Sequence, residues 1–281
     1  SDGEWKENEP TRVAVAHDGK FVGRVFKNSS WEDGGRFYGG FWQRLGSEHR
    51  QKILINNIPT LEIDLSGLHV ILAYAEKQID YWSMTLEDPY TLPVHGVNDT
   101  KVAREIIKLF FLMVFNAPTE KLAFRAFRNE WNYNLFRYRF TDEMLSKVLQ
   151  DIREKHPAIS DLICSGAGVK LQYIDSQVIE YIIKDFVAND TPILTLNDSV
   201  VVPFGSEGRL EKLMKEAVNA VTGDNKIQVK FNKNITEKAL NYRKFLDRDY
   251  YLGMYKALKN PTSADGYKRR MERHNRYFNP E

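Results

Sequence analysis

The chain predicts an α+β fold, an antiparallel sheet with helices packed on it, and three observations carry that expectation. In residues 52–65, Ile53, Leu54 and Ile55 lead to Asn56-Asn57, after which Leu61, Ile63 and Leu65 alternate with Glu62 and Asp64. This is the pattern of a β-hairpin whose second strand is half buried. In residues 193–203 two short apolar segments are split at Asn197-Asp198, a second hairpin with a carboxylate at its tip. Apolar residues recur at helical spacing over 102–115, 144–155, 170–187 and 208–221.

Taken in order, residues 1–11 are polar and expected to fray. Val13 to Ala16, the His17-Asp18-Gly19 turn signal and Phe21-Val22 suggest a short hairpin within residues 13–26. Residues 34–43 set glycines among large aromatics around Arg36 and end in Gln43. Such glycines suit a loop lying against a ligand, or one packed on the domain by its own aromatics. The strand that ends at Asp64 turns directly into a helix in which Leu68, Ile71, Leu72 and Ala75 share a face, with Ser66 as the expected N-cap. Asp64 therefore stands at a strand exit, open to a cleft or to solvent. Asn98-Asp99-Thr100 caps the helix over 102–115, on which Arg104 and Lys108 share one face and which ends before Pro118. That face can hold an anion or be a solvated stripe. His156-Pro157 stops the helix that Thr141-Asp142-Glu143 starts. On 170–187, Leu171, Ile174, Val178, Ile182 and Ile183 form the buried side, and Gln172, Asp175 and Gln177 reach other faces. A strand over 226–231 and a helix over 236–258 follow.

With 281 residues, 42% of them hydrophobic, the chain can form one large domain or two small ones around a real core. No apolar run reaches the ~18 residues of a membrane span, so no membrane partner is expected, and the single cysteine fits a reducing, cytoplasmic setting. The single Cys164 excludes an internal disulfide framework and a thiolate metal cluster, and no catalytic role is assigned to it. The start at Ser-Asp-Gly, without Met or a signal sequence, is that expected of a trimmed chain. The net charge of +2 does not announce a nucleic-acid partner, but its distribution bears on one. Residues 121–139 place Arg125, Arg128, Arg137 and Arg139 among Phe124, Phe127, Trp131, Tyr133, Phe136 and Tyr138, and a second basic run with aromatics lies in 267–278. Such interleaving suits phosphate contact with base stacking. A solvated helix face whose aromatics are core has the same pattern.

Two carboxylates at strand ends beside a cationic helix have a known use: they can hold a pair of Mg²⁺ ions ~3.5–4 Å apart, with waters and phosphates as the remaining ligands. In this order the segments resemble the palm and fingers of the A-family DNA polymerases and the related single-subunit RNA polymerases of phage and mitochondria. The resemblance covers residues 34–203. Asp64-Leu65-Ser66 is similar to the family's strand-to-helix element with the first metal ligand, and Asn197-Asp198 to its hairpin with the second. Arg104 and Lys108 match the helix that binds the incoming triphosphate. Gly35-Arg36 with Gln43, and Leu171-Gln172, match segments that touch primer and template.

The resemblance implies a polymerase-type palm with a helical fingers insertion, and template-directed nucleotidyl transfer to a primer 3′-hydroxyl with release of pyrophosphate. A DNA-directed DNA polymerase is the first expectation, with RNA polymerase or template-independent terminal transferase as variants and a non-catalytic nucleic-acid-binding palm-like subunit as the alternative. It implies Asp64 and Asp198 as catalytic metal ligands for two Mg²⁺ ions, with Mn²⁺ as a substitute. The nucleotide site would comprise Arg104, Lys108, Leu112, Asn116 and His69. Primer-template would meet Arg36, Gln43, Gln172, Asn197, Arg125 and Arg128. The pattern departs from the family at three positions: Asn197 replaces a His, Asn116 a Tyr, and His69 the Glu with which DNA-polymerising members exclude the ribose hydroxyl. The expected division is an N-terminal extension with a hairpin over 1–33, a first palm part over 34–97, fingers over 98–160, a second palm part over 161–235 and a basic helical segment over 236–281. Neither a preceding thumb nor a proofreading domain is expected, which implies low processivity, an accessory subunit in the thumb's place, and a plasmid, phage or other mobile prokaryotic origin.

Overall fold

The structure, a computed structural model, describes residues 18–134, 139–223, 226–235 and 241. Strands are β1 (Gly23–Lys27), β2 (Ser30–Tyr38), β3 (Leu54–Ile55), β4 (Ile58–Leu65), β5 (Leu194–Leu196), β6 (Ser199–Pro203) and β7 (Phe231–Asn234). Helices are α1 (Ser47–Arg50), α2 (Leu68–Ala75), α3 (Tyr81–Met84), α4 (Thr100–Asn116), α5 (Glu120–Asn134), α6 (Asp142–Lys155), α7 (Gly168–Ala188) and α8 (Glu207–Thr222).

The architecture is mixed, with antiparallel strands and packed helices. β4 is its axis: β6 pairs along one edge over Thr60 to Asp64, while β3 and β7 share the other, at 58–59 and 62–65. β5 continues the sheet beyond β6. The alternation in β4 explains its place, because Leu61, Ile63 and Leu65 are buried while Glu62 and Asp64 look the other way. Asn56 and Asn57 both take positive φ, which lets a two-residue turn close β3 onto β4.

α7 packs against β2, α2 and α8 and carries the β1–β2 hairpin on one side. Arg24 stitches that hairpin to α7 by donating to Glu180 and Ser176 and to the Gly35 carbonyl. Gly35 permits this contact: its φ is +74°, and a Cβ there would lie 2.8 Å from Arg24 Nη2 and 2.9 Å from Ser176 Oγ. α4 begins where Asp99 accepts from the backbone of Lys101 and Val102, and α6 where Thr141 accepts from Met144.

Several expectations shift. A hairpin is formed by β1 and β2 around Asn28-Ser29; the one expected within 13–26 has its first arm in residues 1–17, which lie outside the described ones. Gly34 and Gly35 belong to β2, where positive φ serves a bulge between paired strands instead of a ligand-facing loop. Ser66 does not cap α2; its backbone N–H goes to Lys230 O, and Gly67, at φ +68°, occupies the cap position. The last strand starts at Phe231, because the Gln228 N–H is taken by Asp80 and Ile227 is buried. Apart from Asn241, the helix expected over 236–258 lies outside the described residues, as does the basic run in 267–278.

Candidate active site

The end of β4 places Asp64 opposite Ser199 of β6 and Asn232 of β7. Asp198 immediately precedes Ser199, so the turn between β5 and β6 brings the second carboxylate beside the first. Burial pushes the Asp64 carboxyl above the usual carboxylate range, and the Asp198 charge pushes in the same direction. A hydrogen bond from the Asn232 side chain and the Lys108 charge pull it back. Asp64 Oδ1 is buried and has no hydrogen-bond partner among the described residues.

A cleft of about 400 Å³ opens over this pair, lined by Arg36, Asp64, His69, Tyr90, Arg104, Lys108, Leu112, Asn197, Asp198 and Asn232, among others. α4 supplies one wall. Its buried stripe, Ile106, Ile107, Phe110, Phe111 and Val114, anchors it in the core, and Arg104, Lys108 and Leu112, four residues apart, face the cleft. Arg104 is already engaged, donating from Nε and Nη2 to Asp88 Oδ2 at 3.2 and 2.8 Å, with its guanidinium 5.6 Å from the Tyr90 ring centre. Lys108 is exposed and has no ion-pair partner among the described residues.

β2 and α2 supply the facing wall. Arg36 donates from Nε and Nη2 to Asp175 Oδ2 at 2.9 and 2.8 Å, and its Nη2 lies 2.9 Å from His69 Nε2. A guanidinium only donates, so Nε2 accepts and the imidazole proton sits on Nδ1. Burial and then the Arg36 charge depress the His69 pKa to about 4, against the pull of Asp198, so the ring is neutral at pH 7. Asp175 has no exposed surface. Burial raises its pKa to about 7, which the Arg36 guanidinium works against and the Asp198 charge reinforces.

Of the residues singled out from the sequence, Arg36, Asp64, His69, Arg104, Lys108, Leu112, Asn197 and Asp198 come together in this cleft. Others are placed elsewhere. Gln43 donates to the Phe37 and Thr195 carbonyls and so ties β2 to β5. Gln172 accepts from Lys27 and donates to Asn116 Oδ1, and Asn116 donates in turn to the Leu112 carbonyl; all three bonds are internal. Arg128 is paired with Asp142 at 2.6 Å, whereas Arg125 is exposed on α5. The α5 aromatics Phe124, Phe127 and Trp131 are buried, which corrects the stacking surface expected of them: Phe124 and Phe127 pack on Phe110 of α4, and Trp131 on Phe127 and Phe140. Of the other aromatics in that run, the side chains of Tyr133, Phe136 and Tyr138 lie outside the described residues.

The donor set can be tested against a divalent cation. Among the described residues no three His, Cys, Asp or Glu side chains converge as a metal cage. Two carboxylates with one buried, unpartnered oxygen do fit Mg²⁺, a hard ion that takes most of its ligands from water and phosphate.

No family model matches the chain, and no curated protein matches it. Among solved structures, the POL domain of Pol1 from M. smegmatis, in complex with DNA primer-template and dNTP, aligns over 77% of this chain with a TM-score of 0.46 and 10% identity. The alignment takes in 48% of that chain, so this protein spans about half its length.

Sequence reasoning missed Asp175, Tyr90, Asp88 and Asn232. One signal for Asp175 was available: it adjoins the apolar stripe of Leu171, Ile174 and Val178 on α7, where a buried carboxylate needs a cation. Asn232 had no signal, because its role depends on the register between β7 and β4.

Proposed function

We propose that the protein catalyses nucleotidyl transfer from a nucleoside triphosphate to the 3′-hydroxyl of a nucleic-acid primer, directed by a template. The observation that carries this reading is the convergence of Asp64 and Asp198 beside the cationic face of α4 in one cleft. The attacking hydroxyl oxygen forms a bond to the α-phosphorus, the bond to the bridging oxygen breaks, pyrophosphate leaves, and the hydroxyl proton passes to solvent. Asp64 and Asp198 would hold the Mg²⁺, which when bound supplies activation of the hydroxyl and neutralisation of phosphate charge. Lys108 meets the β- and γ-phosphates, and Arg104 joins it by exchanging Asp88 for a phosphate oxygen. Leu112 offers an exposed apolar surface to the base. Asn197 would meet the primer end and Arg36 the junction between primer end and incoming nucleotide, with Gln43 and Gln172 holding the backbone behind them and Arg125 on the outer surface for phosphate. On this reading the sheet is the palm and α4 with α5 and α6 the fingers.

The test is extension of a labelled primer with Mg²⁺ on DNA and RNA templates, with deoxyribonucleotides and ribonucleotides in parallel. The parent extends the primer with at least one set, and Asp198→Asn lowers the rate by more than about 100-fold. Absence of extension with every combination, or an Asp198→Asn variant as active as the parent, sinks the proposal. Continued addition without template would reassign the activity to terminal transfer.

A further inference from the structure

The two walls of the cleft differ in charge. On the α4 wall Lys108 carries a positive charge with no ion-pair partner among the described residues. On the other wall the Arg36 charge is matched by Asp175, and the His69 ring accepts a hydrogen bond from Arg36. Arg36 Nη1 and His69 Nδ1 have no partner among the described residues, so hydrogen-bond donors remain on this wall while its net charge is close to zero. Phosphate is favoured by donors that carry net positive charge. A neutral hydroxyl oxygen requires only aimed donors, and burying it against unmatched charge has no advantage. A molecule that fits both walls has a polyanionic end and a neutral, hydroxyl-bearing middle.

We propose that Asp175 is a positioning residue for nucleotide recognition: by gripping Arg36 through one carboxylate oxygen, it aims Arg36 and His69 at a sugar hydroxyl and leaves the phosphates to the α4 wall. Asp175 touches no ligand. Its Oδ2 receives both guanidinium bonds while its Oδ1 is buried without a partner among the described residues, so the carboxylate is sited for the fork of Arg36. The inference rests on the cleft taking a nucleotide, as in the preceding subsection.

Calorimetric titration at pH 8 with Mg²⁺ separates the two walls, using ATP, dATP, 2′,3′-dideoxy-ATP and inorganic tripolyphosphate as probes. In the parent, loss of the recognised hydroxyl weakens binding; the step from ATP to dATP reports the 2′ group and the step to the dideoxy compound the 3′ group. Asp175→Asn keeps the side-chain volume and removes the charge. It is expected to abolish that hydroxyl dependence and weaken nucleotide binding by about 5-fold or more, while tripolyphosphate binds as well as before or tighter, because the Arg36 charge is now unmatched. If Asp175→Asn does not fold, Arg36→Lys carries the same test, since it keeps the charge and loses the fork. Equal weakening of nucleotide and tripolyphosphate, or an unchanged hydroxyl dependence, overturns the proposal. If the binding pattern is as described but the parent extends no primer, nucleotidyl transfer falls and the recognition stands; if the parent binds none of the probes, both fall.

Discussion

His156 shows how one buried side chain can hold a loop in register with the cleft. Its Nε2–H donates to the Pro89 carbonyl at 3.0 Å, which leaves Nδ1 to accept from the Tyr74 hydroxyl at 3.1 Å. Between them these bonds fix the loop from which Asp88 grips Arg104 and Tyr90 faces the cleft. Burial lowers the His156 pKa to about 4, despite the opposing Pro89 bond. The folded state therefore favours the neutral ring, and its contribution is whole above the unfolded pKa near 6.5 and lost as pH falls from there toward 4. Relative to His156→Phe, the parent should lose about 1.4 kcal/mol of stability per pH unit across that window. Denaturant titrations of both proteins at pH 6.5, 5.5 and 4.5 measure the difference, and parallel pH profiles would contradict it. The same scale shows the limits of reading residues singly: His69 was noticeable five positions after Asp64, but its neutrality and tautomer follow from Arg36, 33 residues earlier.

Among the elements, the strand-to-helix junction from β4 to α2 does most to define the site. Asp64 is next to last in the strand and His69 second in the helix, and Gly67 turns the chain between them at φ +68°. A Cβ at Gly67 would lie 2.8 Å from Pro89 Cγ, so the glycine is required by its backbone angle and also by the approach of the Asp88–Tyr90 loop. Gly67→Ala should destabilise the fold by ~1–3 kcal/mol and loosen Tyr90 and Asp88. Thermal unfolding gives the first effect, and a fall in tyrosine burial by solvent perturbation the second; an Ala variant as stable as the parent would show that the junction tolerates a side chain. The junction was legible in outline, because alternation in 61–65 and helical spacing from Leu68 are local patterns. The cap was misplaced at Ser66, since the register that sends its N–H to Lys230 belongs to a segment 164 positions away.

At the scale of the whole molecule, Asp64 and Asp198 repel each other across the sheet, and a cation with its nucleotide should relieve that repulsion. Mg²⁺ with a nucleoside triphosphate at about 100 times its Kd should therefore add ~2.7 kcal/mol of stability, seen as a raised Tm. Asp64→Asn should abolish that ligand-dependent rise while leaving the ligand-free Tm equal to or above the parent's, because it removes a desolvated charge. A ligand-free Tm well below the parent's would mean that the carboxylate serves the fold. By itself the sequence determined the α+β class, the two hairpins of the sheet, the helix starts at 98–100 and 141–143, and the cationic face of α4, all of which depend on spacings within a few residues. Only the tertiary structure decided which charges are already matched. Arg36 meets Asp175 across 139 positions and Arg104 meets Asp88 across 16, whereas Lys108 has no ion-pair partner among the described residues. Pairing between charges is set by distance and burial after packing, and no local pattern in the chain carries either quantity.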